Sequence, residues 1–375
     1  LLKGESAFRL SAERSPDSEP WLELSTDLVG VSAAMPAPLN KAAAEAWPLV
    51  GRWRVGSDAT AWSLTPAAAP PLRLELAPRS EDRKGLLTWG MSMAEVTPRA
   101  PWVVALALPS INVDEWRQWL SERDPWPTMG STDAVPPSVQ WFARTADLTV
   151  SGWQFRNAMV DALWRGGNWQ ARVGADEIEG EITLQASSQT QPDGQVTARL
   201  SRLRLNPQIL QTTNRQQERP KGMPAVDIEV DALRIKDRDW GKVGLLADNT
   251  WVRQGDRWVP SWEVKRLSVR LPEAEFKASG SWKPQASQLS AAALGQWRQT
   301  DLTWELSLSD AGKLLTRFGM PGVMRGGDGE LQGQLSWLGS PLELDQGSLS
   351  GSIRMDLGRG QFLKAEPGIA KLLGV

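Results

Sequence analysis

Three stretches near the end of the chain decide its fold: Asp301-Leu302-Thr303-Trp304-Glu305-Leu306-Ser307-Leu308, Gly329-Glu330-Leu331-Gln332-Gly333-Gln334-Leu335-Ser336-Trp337 and Ser348-Leu349-Ser350-Gly351-Ser352-Ile353-Arg354-Met355-Asp356-Leu357. In each, apolar residues or glycines alternate with polar ones. Side chains on a strand point to alternate faces, so each stretch becomes a strand with one apolar face and one wet face. Similar segments recur upstream at the spacing of an all-β chain, among them Trp21–Leu28, Ala61–Leu64, Leu72–Leu76, Trp102–Leu108, Asp147–Phe155, Ile178–Ala186, Gln195–Leu205, Val226–Ile235 and Glu273–Trp282. Turn chemistry separates them, as at Gly166-Gly167-Asn168 and Asp237-Arg238-Asp239-Trp240-Gly241. The expected fold class is all-β, mainly antiparallel, with a few short helices.

Helices are expected at Asp114–Leu120, Ser309–Gly319, Pro367–Leu373 and Leu39–Ala46. Asp124–Pro137 reads as a Pro/Ser/Thr-rich loop and Gln211–Pro224 as a polar excursion. The chain therefore divides into a β-rich segment over residues 1–112, a helix and loop over 113–140, and a second β-rich segment over 141–375.

Composition narrows the chemistry. Lys+Arg is 42 and Asp+Glu is 44 in 375 residues, which disfavours nucleic acid as a partner, since such a binder needs excess cations. Cysteine and histidine are both absent, which removes disulfides, thiolate sites, thiol nucleophiles and every Ser-His or Cys-His arrangement. Tyrosine is absent too, whereas tryptophan numbers 21. Arg325-Gly326-Gly327-Asp328-Gly329 lacks the pattern of a phosphate loop and reads as a glycine turn. Asp237–Gly241 lacks the closing Glu of a calcium loop and reads as a hairpin turn. Acidic pairs such as those in Asp176-Glu177-Ile178-Glu179 suit the wet edge of a sheet better than glycoside hydrolysis. No enzyme, cofactor or metal is expected. The longest apolar run, Trp102–Leu108, falls far short of the ~20 residues that cross a bilayer as a helix. The opening Leu1, in place of Met, is read as the mark of a piece of a longer protein.

Alternation alone does not tell a closed sandwich from an open, lined groove, and on that ground a sandwich is favoured. A Trp-bearing sandwich that binds polysaccharide or a protein partner is the alternative function. The ordered series of C-terminal motifs points elsewhere. Ser309-Asp310-Ala311-Gly312-Lys313-Leu314-Leu315, Phe318-Gly319-Met320-Pro321, Gly327 through Pro341, Leu349-Ser350-Gly351 and Gly360 through Gly368 resemble the YhdP branch of the AsmA-like proteins, relatives of TamB. Met35-Pro36-Ala37-Pro38-Leu39-Asn40-Lys41 and Val226–Leu233 fit the same series, with Asn40 where the family more often has Gly.

The resemblance implies an elongated curved sheet forming an apolar-lined trough. It implies a periplasmic protein of Gram-negative bacteria, anchored in the inner membrane through a segment absent from this chain. The implied partner is phospholipid, moved toward the outer membrane, with other envelope proteins as possible partners. On that basis the groove-lining positions are the apolar beats Val196, Ala198, Leu200, Val226, Ile228, Val230, Leu302, Trp304, Leu306, Leu308, Leu331, Leu335, Trp337, Leu349, Ile353, Met355 and Leu357. Gly333 and Gly351 share the beat and leave room or permit curvature.

Overall fold

The computed structural model describes residues 2–14, 20–54, 59–77, 84–92, 95–122, 138–187, 193–205, 224–254, 257–284, 298–339, 341 and 344–363. Strand accounts for 64% of the described residues and helix for 6%, so the all-β class holds. The described residues fall into two compact units, Leu1–Asp176 and Glu177–Val375. Each is described by itself.

In the first unit the strands are β1 (Leu2–Gly4), β2 (Arg9–Glu13), β3 (Trp21–Thr26), β4 (Val31–Ala33), β5 (Leu49–Arg54), β6 (Thr60–Leu64), β7 (Leu72–Leu76), β8 (Gly85–Trp89), β9 (Trp102–Asn112), β10 (Val139–Val150), β11 (Trp153–Arg165) and β12 (Asn168–Gly174). The main ladder runs β2-β3-β5-β6-β7-β8-β9-β10-β11-β12, and β1 pairs apart with β4. Neighbours are antiparallel except β8–β9 and β9–β10. Tight turns set the register: Ser151 and Gly152 both take positive φ, 52° and 75°, the geometry that joins antiparallel strands without splaying them. Between β8 and β9 the chain crosses over one face. There Met91 and Val96 pack on Leu86, Val103 and Ala105. Gln140 lies under the same cover, 1% exposed, and is satisfied: its Oε1 accepts from Arg99 N at 2.8 Å and its Nε2 donates to Asp161 at 3.2 Å.

Helix α1 (Val113–Ser121) follows β9. Asn112 caps it, accepting from the backbone N–H groups of Asp114 and Glu115. Asp114 in turn accepts from the N–H groups of Ser151 and Gly152 at 2.6 Å each, which ties the helix to the β10–β11 turn. The helix expected over Leu39–Ala46 does not form. Lys41 instead pairs its backbone with Ala33, and its buried ammonium donates to the carbonyls of Leu28, Val31 and Ala42. Those contacts hold the segment as a loop; a side chain that ties distant carbonyls together overrides local helix preference.

In the second unit the strands are β13 (Ile178–Gln185), β14 (Gln195–Leu205), β15 (Ala225–Ile235), β16 (Arg238–Gln254), β17 (Arg257–Arg270), β18 (Ala274–Pro284), β19 (Arg298–Leu308), β20 (Met324–Gly326), β21 (Gly329–Leu338), β22 (Ser350–Leu357) and β23 (Gly360–Phe362). The ladder runs in chain order from β13 to β19, then β21 and β22, antiparallel except β14–β15. A small side sheet pairs β20 with β23. The sheet is curved, and among the described residues no pairing returns from β22 to β13, so this ladder is not a barrel. Helix α2 (Ala311–Arg317) begins at Asp310, whose carboxylate accepts from Lys313 N at 2.9 Å. The expected helix over Pro367–Leu373 and the loop over Asp124–Pro137 lie outside the described residues, as does the excursion over Gln211–Pro224 apart from Pro224. The hairpin turn expected at Asp237–Gly241 falls at Lys236 and Asp237, with Lys236 at φ 55° and β16 already begun at Arg238.

Candidate functional site: apolar rows across the sheet

Strand alternation becomes a site only if register aligns the beats. In the second unit it does. One row of register partners reads Ile182, Ala198, Ile228, Leu245, Leu267, Ala278, Trp304, Gly333 and Ile353. A flanking row reads Leu184, Val196, Val226, Ala247, Val264, Gly280, Leu302, Leu335 and Gly351. On the other flank lie Gly180, Leu200, Val230, Val243, Val269, Phe276, Leu306, Leu331 and Met355. None of these positions is polar or charged. Leu308 and Leu357 continue the same face through Ala274 and Gly329. At the opposite strand ends Trp337 aligns with Thr300, Trp282 and Trp262. Leu349 precedes β22 and is exposed.

Burial along these rows is uneven. Ala247, Val230 and Ala198 in the middle strands are 0–4% exposed, whereas Leu184 at one edge is 42% and Ile353 at the other 61%. Leu302, Trp304, Leu306, Leu331 and Leu335 are half-buried. The inner face of a closed sandwich is sealed by its partner sheet. Here the β19–β22 end of the stripe stays accessible.

The reverse face is wet. Its central row reads Glu229, Gly244, Ser268, Lys277, Glu305, Gln332 and Arg354. A depression of about 990 Å³ lies on this side, with Lys242, Lys265, Arg270, Glu275 and Lys277 in its wall. Its charges are largely paired with one another: Lys242 with Asp231 at 3.0 Å, Arg270 with Glu275 at 2.9 Å, Lys277 with Glu275 at 3.3 Å, and Lys265 with Asp248. The strand period thus separates an apolar side from a hydrated one.

The first unit has rows of the same kind, which the sequence reading did not single out. Leu24, Gly51, Trp62, Leu74, Leu87, Val104, Trp141, Ala162 and Ala171 are register partners. So are Leu49, Leu64, Leu72, Trp89, Leu106, Ala143, Val160 and Val173. The signal was present in segments such as Leu72-Arg73-Leu74-Glu75-Leu76; the crossover after β8 and the short strands interrupted it.

Tryptophans lie along these faces over glycines of the next strand. A Cβ on Gly51 would fall 2.4 Å from Trp62 Cζ3, on Gly85 2.2 Å from Trp102 Cζ3, and on Gly333 3.0 Å from Trp304 Cζ2. Each pair is in register. The indole therefore covers its neighbour's backbone and stays low on the sheet. Trp304 also stacks on Phe276 at 6.2 Å. Replacing Gly333 with Val must lift the Trp304 ring and displace Ser352 O, 2.5 Å from the new Cβ. Chemical denaturation of Gly333→Val should show a loss of about 1–3 kcal/mol, with altered tryptophan emission; unchanged stability and emission would mean the ring does not rest on that glycine.

No metal-binding group of acidic side chains occurs among the described residues. No helix among them is long and apolar enough to cross a membrane. The model of the YhdP protein family matches residues 2–375. The chain belongs to the YhdP family. No curated protein and no solved structure gives a significant match. In this YhdP-family chain, the C-terminal motifs that carried the resemblance fall on α2, β21, the start of β22 and β23, and β21 and β22 belong to the accessible end of the stripe.

Proposed function

We propose that this chain is a section of a periplasmic conduit that moves phospholipid between the inner and outer membranes, with acyl chains lying on the apolar rows and headgroups left in water. It acts without catalysis. In the full-length protein, attachment to the inner membrane comes from outside these residues, and other envelope proteins complete the path. The observation that carries this reading is the charge-free stripe of the second unit, half-exposed from β19 to β22. Family membership supports a lipid-transport role.

The energetics explain why such a stripe is needed. Exposing methylenes to water costs ~0.8 kcal/mol each, so a two-chain lipid with roughly 30 of them loses on the order of 20 kcal/mol in aqueous crossing. Apolar side chains that repeat at strand spacing replace that contact at each step, and their near-equivalence lets a tail slide rather than lodge. Chemical specificity is not required of any single position.

The absence of cysteine makes a direct test convenient. Single substitutions Leu331→Cys, Gln332→Cys, Leu335→Cys and Gln334→Cys sample both faces of β21. With phospholipid bound, maleimide labelling should slow at 331 and 335 and stay unchanged at 332 and 334. Equal protection on both faces, or none on either, overturns the reading. Native mass spectrometry of the purified chain should show co-purified phospholipid.

A further inference from the structure

The apolar face of the second unit carries a cation at one end. Arg298 opens β19 and shares the face of Thr300, Leu302 and Trp304. Its guanidinium stacks on the buried Trp282 ring at 4.1 Å. Among the described residues no carboxylate comes within ion-pair distance of it. Asp193 acts on it only across a longer gap and accepts a hydrogen bond from Asn249 at 3.3 Å. Burial pushes the Arg298 guanidinium below its ordinary range, with Asp193 opposing weakly. The surroundings are the tryptophan end of the stripe: Trp262, whose Nε1 donates to Pro224 O at 3.0 Å, Trp282 and Trp337.

A half-buried cation without a counter-ion is costly, and an anion that accepted its hydrogen bonds would relieve the cost. A guanidinium has one flat face to stack and an edge of donors that fits phosphate oxygens. We propose that Arg298, held on Trp282 at the end of the apolar rows, binds the phosphodiester of a phospholipid headgroup whose acyl chains extend along those rows. The proposal rests on the lipid reading above. Trp282 positions the guanidinium, and the rows take the tails.

The test compares dioctanoyl phosphatidylglycerol with dioctanoylglycerol, which has the same tails and no phosphodiester, by calorimetry on the full chain. Inorganic phosphate is the third ligand. The wild-type chain should favour the phospholipid over the diacylglycerol by about tenfold, the scale of one charge-assisted hydrogen-bonded contact. Arg298→Gln should abolish that preference and leave diacylglycerol binding unchanged. Arg298→Lys, which keeps the charge and loses the planar fork, should retain about a third of it and serves if the Gln variant fails to fold. A phospholipid preference that survives in both variants overturns the proposal and leaves the lipid reading standing. Failure of either lipid to bind the wild-type chain overturns both. Inorganic phosphate binding as tightly as the phospholipid, in an Arg298-dependent way, makes this a free-anion site and overturns the headgroup assignment.

Discussion

Ile353→Asp is expected to strip phospholipid from the protein while leaving the fold in place. Ile353 stands on the exposed edge strand β22, 61% accessible, in register with Gly333 and then Trp304. With the sheet empty, an aspartate there faces water, and an exposed substitution of this kind changes stability by within about 0.5 kcal/mol. With an acyl chain lying on the row, the same carboxylate must be stripped of water or protonated, at a cost of several kcal/mol. Each 1.4 kcal/mol is tenfold in affinity, so occupancy should fall by roughly a hundredfold or more. The measurement pairs phospholipid retained per chain, by native mass spectrometry, with urea unfolding of the same sample. Wild-type lipid content in the variant refutes the role given to this row. A large loss of stability would instead show that Ile353 is ordinary core. Leu306→Asp tests the same row set at a half-buried position, where some loss of stability accompanies the loss of lipid.

Much of this arrangement could be read in the sequence because a strand needs only its own residues to sort its two faces. The alternation in Asp301–Leu308 and Gly329–Trp337 gave the parity of β19 and β21 directly, and the lining positions named from it on these strands all fall on one face. Register was another matter. That Val226 meets Ala247 and Val264, although β-bulges interrupt the β15–β16, β16–β17 and β17–β18 ladders, depends on pairings no local pattern encodes. The groove-versus-sandwich question likewise turned on exposure at Ile353 and Trp304, a property of what lies opposite rather than of the strand. The helix expected at Leu39–Ala46 failed for a related reason: the decisive contacts of Lys41 reach back to Leu28 and Val31. Arg298 escaped notice because a lone arginine at a strand end gives no sequence signal until Trp282 is seen beneath it.

The second large effect concerns how the strand ends of this unit are held. Glu273 sits in the turn between β17 and β18 with only 5% of its side chain exposed, and Arg317 at the end of α2 meets it with both Nε and Nη2, the latter at 3.0 Å. The backbone of the same residue accepts from the N–H groups of Ser309 and Asp310, at 2.9 and 3.3 Å, so Glu273 fixes both ends of the helix. The Arg317 hydrogen bond holds the Glu273 carboxyl below its ordinary value of 4.5, against the opposing effect of burial. A carboxyl lowered in the folded state stabilises the fold above its unfolded value, and that contribution disappears as pH falls through the lower, folded value. Arg317→Met leaves a buried carboxylate without its partner and should cost about 3 kcal/mol at pH 7, the low end for such a loss because Arg317 is itself 28% exposed. The difference from wild type should shrink below pH 4.5, where the orphaned group is protonated in both folded and unfolded chains. The double variant Glu273→Leu with Arg317→Met removes both charges and should recover most of the loss, since apolar groups of similar size replace a buried pair at little cost. Urea midpoints for the three chains at pH 7 and pH 4 decide the matter: a single variant as stable as wild type at pH 7, or a deficit that grows on acidification, would show that this pair does not anchor α2 to the sheet.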